Sequence, residues 1–502
     1  MSQPSPSAPS QAQTQKLGGS RKLTLVDAVA QSVGFMGPVF SIAFLVPLLV
    51  GVNSSGKGAG AAAPLSVLLA AIGVLGLGWI VAQYAKRIHA AGSLYDYVTD
   101  GLGARVGGAA GYLYYIGIMV LGAGLLALAG GFIYDTVNAE FQKTPLPRTA
   151  WMLVVFAAVA VITYFGVALS TRAQLVLALT SITVVLIFFV HVIISVGGDN
   201  HVATAFKPSS SPDGLSGVLF GVLFGVLLFT GFETAANLGE ETAHPKRDIP
   251  RAVLIAVLSI GGFYIIGAYA QVAGFHFSVA EIAKNAGAPL FALAGPSSAG
   301  GYGSVWIGRL LELVVLLDML AVLIGCSVAA SRGFFAMARD ERLPKPLGKV
   351  SGRGTPFTAT VVVLAFYLLT VGLTRWWVTL FALPATPHYF AIFAWGSTFG
   401  GFALTVIYLL MAIGSLRGLR DHEKYPAVVL AAAVGIVVTA GAIFGAIYKV
   451  TAPTIWAPWA CLAILVLGYL LTFVLPGKPG TGQTASEEFV GLSPAEQGPQ
   501  KL

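Results

Sequence analysis

Runs of about twenty or more apolar residues recur along almost the whole sequence, and a helix of that length crosses the ~30 Å hydrocarbon core of a bilayer. Only 10% of the 502 residues are charged. Soluble domains carry roughly 25%, so this chain could not cover a water-facing surface. We therefore predict an all-α integral membrane protein. Twelve transmembrane spans are expected, at about 24–50, 63–86, 107–137, 149–168, 171–196, 215–243, 251–274, 305–338, 356–374, 386–415, 426–449 and 453–475.

Both ends of the sequence are polar. Residues 1–22 are rich in Ser, Pro and Gln and lack the apolar core of a cleavable signal peptide, and residues 477–502 are similarly polar. We expect two disordered tails. If both tails are cytoplasmic, most of the 29 basic residues fall on the cytoplasmic side, as the positive-inside rule requires. The expected location is the plasma (inner) membrane, with lipid around the helices and no nucleic-acid partner.

Two of the predicted spans are interrupted near their middles. Span 1 carries Gly34-Phe35-Met36-Gly37-Pro38, and span 6 carries Thr230-Gly231-Phe232-Glu233. Glycines also permit close helix packing, so one such motif would not establish a fold. The two Gly-Phe pairs lie about 200 residues apart, roughly five spans with their loops, which is typical of inverted-repeat transporters. We predict a transporter core at 23–415, with 5+5 inverted repeats at about 24–196 and 215–415, and two additional helices at 426–475.

Three segments resemble the amino acid–polyamine–organocation (APC) superfamily, in particular its amino acid permeases. They are GFETAANLGEETAHPKRDIPRA at 231–252, AKRIHAAGSLYDYVTDGLG at 85–103 and SRGFFAMARDERLPKPLGKVSGRGTP at 331–356. They occur in the family's order among the predicted spans. The resemblance implies a leucine-transporter-type fold with helices 1 and 6 broken around the substrate. It also implies secondary transport of an amino acid or small organic amine, with no cofactor.

The two interruptions define the predicted substrate site. A broken helix frees carbonyl groups at one end and N–H groups at the other, and these ends suit the ammonium and carboxylate groups of a small substrate. Many family members have Gly-Ser-Gly in span 1, whereas Pro38 here removes one N–H, which weakens the case for an ordinary α-carboxylate relative to an amine. The predicted substrate-binding residues are Gly34, Phe35, Met36, Gly37, Ser41, Phe229, Thr230, Gly231, Phe232 and Glu233.

Glu233 is a carboxylate at bilayer depth, which is costly unless it has a partner or lines a cavity. It could cap the lower half of span 6, face the substrate's cation or carry a proton. Sodium is the other candidate coupling ion, because Ser327 and Ser331 lie one turn apart in span 8, although such hydroxyls commonly bond back to their own helix. The two cysteines, Cys326 and Cys461, are expected to be buried thiols, and no metal site is predicted.

Other polar residues have two interpretations each. Charged residues at the cytoplasmic ends could form an ion-pair gate or a solvated basic rim, and the gate candidates are Arg87, Glu240, Glu241, Arg339 and Asp340. In span 8, Arg309 and Glu312 are spaced to pair on one helix face. Asp318 lies deeper, and the sequence does not name its partner. Possible aromatic walls of the site are Tyr112, Tyr114, Tyr115, Tyr389 and Trp395.

Two other function classes compete with transport. A membrane-embedded enzyme needs His, Asp or Cys clustered at one depth, and the seven histidines form no such motif in a span, so we expect no enzymatic activity. A nutrient sensor could keep the transporter fold without moving substrate. The sequence does not distinguish a sensor from a transporter, nor proton coupling from sodium coupling or exchange.

Overall fold

A computed structural model describes residues 22–53, 55–88, 92–141, 146–165, 171–239, 241–285, 289–351, 355–381 and 388–477. Within these ranges the chain is helical and contains no β-strand. The α-helices are α1 (Leu25–Met36), α2 (Pro38–Val50), α3 (Ala63–Tyr84), α4 (Leu94–Leu102), α5 (Ala104–Phe141), α6 (Arg148–Phe165), α7 (Thr171–Val196), α8 (Val202–Ala205), α9 (Gly214–Leu228), α10 (Pro245–Gly274), α11 (Val279–Lys284), α12 (Pro289–Ala294), α13 (Val305–Arg339), α14 (Phe357–Phe381), α15 (His388–Gly418), α16 (Tyr425–Ile447) and α17 (Trp456–Val474). Short 3-10 helices occur at Gly60–Ala62, Gly197–Asp199, Pro208–Ser210, Thr234–Leu238, Ser297–Ala299 and Lys345–Gly348.

Nine helical stretches of the described chain are long and apolar enough to cross a membrane. They are Leu25–Val50, Gly60–Tyr84, Ala104–Phe141, Ala178–Asp199, Pro245–Gly274, Val305–Arg339, His388–Gly418, Tyr425–Ile447 and Trp456–Val474. Three shorter apolar helices are Arg148–Tyr164, Gly214–Leu228 and Phe357–Gly372. The expected all-helical membrane architecture is therefore confirmed. Apart from residues 22 and 477, the predicted tails lie outside the described residues.

Span 1 consists of two helices joined by one residue. α1 starts after Thr24, whose N–H donates to the Asp27 carboxylate at 2.9 Å, and it ends at Met36. Gly37 then takes a left-handed φ of 51°, a conformation that glycine adopts without the steric cost other residues meet. α2 begins at Pro38, whose fixed φ suits the first turn of a helix. The interruption is shorter than predicted, because Gly37 alone turns the chain and Gly34 stays helical.

Span 6 is interrupted where the sequence predicted, but its second half differs from a straight α-helix. α9 ends at Leu228, and residues 229–233 form turns in which Gly231 has a φ of 110°. The chain continues as the 3-10 helix Thr234–Leu238, in which the N–H of Ala236 donates to the carbonyl of Glu233 at 2.8 Å. Bonds of this i to i+3 type make a helix that is more tightly wound than an α-helix.

The interrupted spans lie at the centre of the bundle. Every residue from Ala30 to Val50 in span 1 is buried, and α1 packs against α7, α10 and α13. α2 packs against α9, so the second half of span 1 and the first half of span 6 are neighbours. In contrast, only 28% of the apolar window of α16 and of α17 is buried, so both helices lie at the surface of the bundle.

Candidate functional site

The interruptions of spans 1 and 6 contact each other directly. The hydroxyl of Ser32 in α1 donates to the carbonyl of Phe232 at 2.9 Å and accepts from the N–H of Ala235 at 3.2 Å. A Cβ atom on Gly231 would lie 2.4 Å from Cδ1 of Phe35, so only a glycine allows this approach. Side chains of α1 thus satisfy backbone groups that the break in span 6 leaves without helical partners.

The last carbonyl groups of α1 receive only some of their hydrogen-bond donors from span 1 itself. The carbonyl of Met36 accepts from the hydroxyl of Ser41 at 2.7 Å, and the hydroxyl of Tyr264 lies 3.5 Å away. The carbonyl of Gly34 would ordinarily accept from the residue four positions later, but that residue is Pro38 and has no N–H. The negative end of α1 therefore suits a positively charged group.

The N-terminal end of α2 is capped by a carboxylate from another span. Oδ2 of Asp318 in α13 accepts from the N–H groups of Val39 and Phe40, both at 2.8 Å. Asp318 is only 5% exposed. This contact joins residues nearly 280 positions apart, which is why the sequence named no partner for Asp318. The start of α2, which was expected to bind the carboxylate of a substrate, therefore already binds the carboxylate of Asp318.

Glu233 is fully buried and hydrogen-bonded within the break of span 6. Its Oε1 accepts from the hydroxyl of Tyr114 at 3.0 Å, and its Oε2 accepts from the N–H of Gly231 at 3.2 Å. The hydroxyl of Tyr408 faces the same carboxylate. Glu233 directly precedes the 3-10 helix Thr234–Leu238, but its side chain makes no cap hydrogen bond to that helix and instead accepts from the turn before it. Its expected roles in capping, in substrate binding and in proton coupling all stay predictions.

A cavity of about 20 Å³ lies between the two interruptions. Four of the predicted substrate-binding residues line it, namely Phe35, Met36, Ser41 and Thr230. The other six predicted residues surround the interruptions without lining this cavity. The remaining lining residues were not predicted, because they are ordinary apolar residues of their helices: Phe40, Leu45, Leu121, Leu125, Leu227, Val322 and Phe393. The lining is apolar apart from two hydroxyl groups and contains no basic side chain.

Aromatic rings pack on the α2 side of the cavity. Phe40 and Phe393 meet edge to face with ring centroids 5.8 Å apart, and Phe44 packs behind them at 6.3 Å from Phe393. Phe132 and Phe291 extend this outer aromatic cluster, which we define as Phe40, Phe44, Phe132, Phe291 and Phe393. Phe40 and Phe393 of this cluster, rather than the predicted tyrosines and Trp395, line the cavity.

Most of the predicted aromatic residues bond elsewhere. The hydroxyls of Tyr112 and Tyr115 donate to the carbonyls of Arg342 and Gly92, and Tyr389 donates to Asp135. The indole N–H of Trp395 donates to the carbonyl of Pro453. Tyr114 alone among the five reaches an interruption, through Glu233.

The two candidate sodium ligands bond back to their own helix. The hydroxyl of Ser327 donates to the carbonyl of Leu323 at 2.9 Å, and that of Ser331 donates to the carbonyl of Val328 at 3.0 Å. Both serines are buried, and each hydroxyl oxygen keeps a lone pair that could meet a cation. The sodium site therefore stays a prediction.

Two contacts join spans 1, 6 and 8 on the side opposite the outer aromatic cluster. The N–H of Leu23 donates to the carbonyl of Glu241, and the N–H of Ala243 donates to the carbonyl of Leu23, both at 2.9 Å. The carboxylate of Glu241 pairs with the guanidinium of Arg332 in α13 at 2.7 Å, and these side chains are 15% and 6% exposed. Glu241 was a predicted gate residue, but its partner Arg332 was not.

The other predicted gate residues within the described ranges each contact a different part of the chain. Arg87 donates to the carbonyl of Gly418 at 3.2 Å, and Asp340 accepts from the hydroxyl of Tyr95 at 2.8 Å. Arg339 lies over the ring of Phe335. Glu240 falls outside the described residues. The ion-pair gate as predicted therefore remains a hypothesis.

Two smaller expectations, for Arg309 and for the cysteines, have clear outcomes. Arg309 pairs with Glu140 of α5 rather than with Glu312, because Glu140 offers both carboxylate oxygens to the guanidinium fork. Cys326 and Cys461 are free and buried, as expected. No metal-binding group of His, Cys, Asp or Glu occurs within the portion of the chain described.

Comparison with known proteins agrees with a membrane transporter. Residues 32–491 match the amino acid permease family, so the protein belongs to that family, whose members are permeases rather than enzymes. The family expectation is confirmed.

Individual transporters with known names are also similar to this chain. Vacuolar cationic amino acid transporter 4 of Arabidopsis thaliana is 28% identical to this chain in an alignment that covers 70% of this chain and 59% of that relative. Branched-chain amino acid permease BcaP of Bacillus subtilis (strain 168) is 23% identical in an alignment that covers 61% of this chain and 67% of the length of BcaP. A mutant of the Eremococcus coleocola manganese transporter shares the fold, with a TM-score of 0.54, 12% identity, and coverage of 90% of this chain and 94% of that chain.

Proposed function

We propose that the protein is a secondary active transporter that moves an amino acid or a small organic amine across a membrane by alternating access. The observation that carries this proposal is the cavity between two interrupted helices at the centre of the bundle. Broken membrane helices expose backbone dipoles that can bind a small charged substrate without any charged side chain. Family membership and the names of the relatives, cationic and branched-chain amino acid carriers, support the substrate class.

The proposed arrangement has twelve spans in a leucine-transporter-type 5+5 inverted repeat. The nine long and three shorter apolar helices supply the twelve spans. Spans 1–5 (α1 to α7) and 6–10 (α9 to α15) form the repeats, and α16 and α17 lie outside them. The position of an interruption in the first span of each repeat supports this assignment. Both termini are cytoplasmic in the proposal, and the membrane is the plasma membrane.

Alternating access needs a closure on each side of the substrate. We assign the outer closure to the outer aromatic cluster, which packs next to the cavity on the α2 side. We assign the inner closure to the pairing of Leu23 with residues 241–243 and to the Glu241–Arg332 ion pair. Both closures join the interrupted spans to their neighbours, so opening one of them would expose the cavity to one side only.

The coupling ion is a proton or sodium, or transport is an exchange of substrates. Glu233 is the proposed proton carrier, and Ser327 and Ser331 are the proposed sodium ligands. If Glu233 carries the proton, Glu233→Gln abolishes accumulation driven by a pH gradient but spares exchange of substrate across the membrane. Unchanged pH-driven accumulation by this variant would exclude the role.

The decisive experiment measures substrate flux with the purified full chain in proteoliposomes. Labelled amino acids and amines are offered outside, with unlabelled substrate inside and with imposed proton or sodium gradients. We expect counterflow of at least one compound and its acceleration by one gradient. Binding of a compound in a thermal-shift assay without any counterflow would instead identify a nutrient sensor that keeps the transporter fold.

A further inference from the structure

The start of α2 has no backbone donor left for a substrate carboxylate. The first four residues of this helix would ordinarily present free N–H groups. Pro38 has none, the N–H groups of Val39 and Phe40 donate to Asp318, and the N–H of Ser41 donates to the carbonyl of Gly37 at 2.8 Å. The N–H of Gly37 itself donates to the carbonyl of Val33. Every donor at this end of the break is accounted for.

Asp318 is suited to replace a ligand's carboxylate at this position. Two hydrogen bonds of 2.8 Å to one oxygen, at the positive end of a thirteen-residue helix, are the geometry in which an anion is stabilised. The carboxylate comes from α13, and Val322, one helical turn further along α13, lines the cavity. The internal anion therefore sits at the edge of the proposed substrate site rather than in a remote part of the bundle.

The charges around the site favour a cation. Two buried carboxylates, Asp318 and Glu233, flank the interruptions, and the lining of the cavity includes no lysine or arginine. The carbonyl of Gly34 lacks its helical donor because of Pro38, and the carbonyl of Met36 also faces the break. A second carboxylate brought by a substrate would meet a like charge and no free N–H, whereas an ammonium group would meet acceptors.

We propose that the substrate is a primary amine with an apolar side chain and no free carboxylate, and that Asp318 occupies the position where such a carboxylate would bind. This inference rests on the proposed transport function and narrows its substrate class. The apolar side chain follows from the lining, which apart from Ser41 and Thr230 consists of leucine, valine, methionine and phenylalanine side chains.

The test compares matched pairs of compounds on the purified full chain. Leucine is paired with 3-methylbutylamine, and phenylalanine with 2-phenylethylamine, so that each pair differs only in the carboxylate. Leucine methyl ester adds a compound that keeps the size of the amino acid but removes its negative charge. Binding is measured by thermal shift and transport by counterflow. We expect each amine to bind at least tenfold more tightly than the corresponding amino acid. The ester should bind less tightly than 3-methylbutylamine, because Asp318 occupies the position of its ester group.

Variants test whether Asp318 causes the preference. Asp318→Ala frees two N–H groups, so we expect the ratio of amine to amino acid affinity to fall at least tenfold. Asp318→Asn, which keeps the shape but not the charge, gives a smaller change in the same direction. Glu312→Gln removes a carboxylate from the same helix that lines a different pocket, beside Arg309 and Glu140, and its ratio should match the wild-type ratio. Because the wild-type comparison needs no variant, misfolding of Asp318→Ala leaves the inference testable.

The failures are distinguishable. Amino acids that bind as well as their amines would overturn the inference but leave transport standing. An unchanged ratio in Asp318→Ala would also overturn it. If no compound of either series binds or shows counterflow, the proposed transport function fails, and the inference fails with it.

Discussion

Gly37 is the residue on which the break in span 1 depends, and replacing it with alanine should be unusually costly. Its φ of 51° lies in the left-handed region. A Cβ atom there would also lie 2.0 Å from Cγ2 of Val322. Gly37→Ala therefore introduces two separate problems, a strained backbone and a steric overlap with α13.

The two costs can be separated by a second substitution. Left-handed backbone in a non-glycine residue costs about 1–2 kcal/mol, and overpacking in a well-packed core costs about 1–3 kcal/mol. We therefore expect Gly37→Ala to lower the free energy of unfolding by about 2–5 kcal/mol. In a Val322→Ala background the overlapping Cγ2 is absent, so only the backbone part of about 1–2 kcal/mol remains. The coupling energy between the sites should be about 1–3 kcal/mol.

The assay is denaturant unfolding of the purified protein in detergent, for the wild type, both single variants and the double variant. Gly262→Ala is the matched control, because a Cβ at this helical glycine meets nothing within 4 Å and its φ is not left-handed. The reasoning is refuted if Gly37→Ala costs no more than Gly262→Ala. A cost that is the same with and without the Val322 side chain would refute the overlap argument alone.

Three further predictions concern the inner side and the break in span 6. Arg332→Ala leaves the Glu241 carboxylate without its ion pair and should destabilise the proposed inner closure by about 3 kcal/mol, the lower end for buried pairs, because Glu241 keeps some exposure. The labelling rate of a cysteine introduced at this closure should therefore rise. Adding Glu241→Gln, which removes the unpaired charge, should reverse the rise. Tyr114→Phe removes a donor from buried Glu233 and should lower the free energy of unfolding by about 1–3 kcal/mol, measured by the same denaturant assay. The pKa of His422, in the loop after α15, lies below its ordinary value because of burial and the nearby positive charges of Arg87 and Lys86. The unfolded chain thus binds this proton more readily, so the free energy of unfolding should fall slightly as pH drops below about 6.5, and His422→Asn should flatten that part of the stability profile.

The sequence predicted those features of the fold that depend on local composition. Long apolar runs identified the membrane helices, and Pro38 correctly marked the start of the second half of span 1. The interruption at Gly231 also followed from a local motif. Gly34 was assigned to the break but stays helical, and the chain leaves the helix at Gly37 instead. Which of the two glycines breaks the helix depends on contacts with distant residues, such as the close approach of Val322 to Gly37, and the local sequence does not show these contacts.

The parts that escaped prediction depend on contacts between distant residues. Asp318 and the start of α2 are nearly 280 positions apart, and no pattern in either segment identifies the other. Arg309 had a partner at the right helical spacing, yet it bonds to Glu140 on a different helix. The cavity lining was missed for the same reason, since Leu121 and Leu227 differ in no local respect from leucines that face lipid.

The single-residue junction at Gly37 also determines where the two halves of span 1 could rotate relative to each other. Only two torsion angles separate the halves of span 1, and the side-chain hydrogen bonds of the two halves go to different partners. The N–H groups at the start of α2 donate to Asp318 of α13, whereas Ser32 of α1 accepts from Ala235 in the 3-10 helix of span 6. A rotation about Gly37 would therefore move α1 together with the Ser32-bonded part of span 6 while α2 kept its hydrogen bonds to Asp318. Such a rotation would also require the Glu241–Arg332 ion pair to open, because that pair ties span 6 to α13.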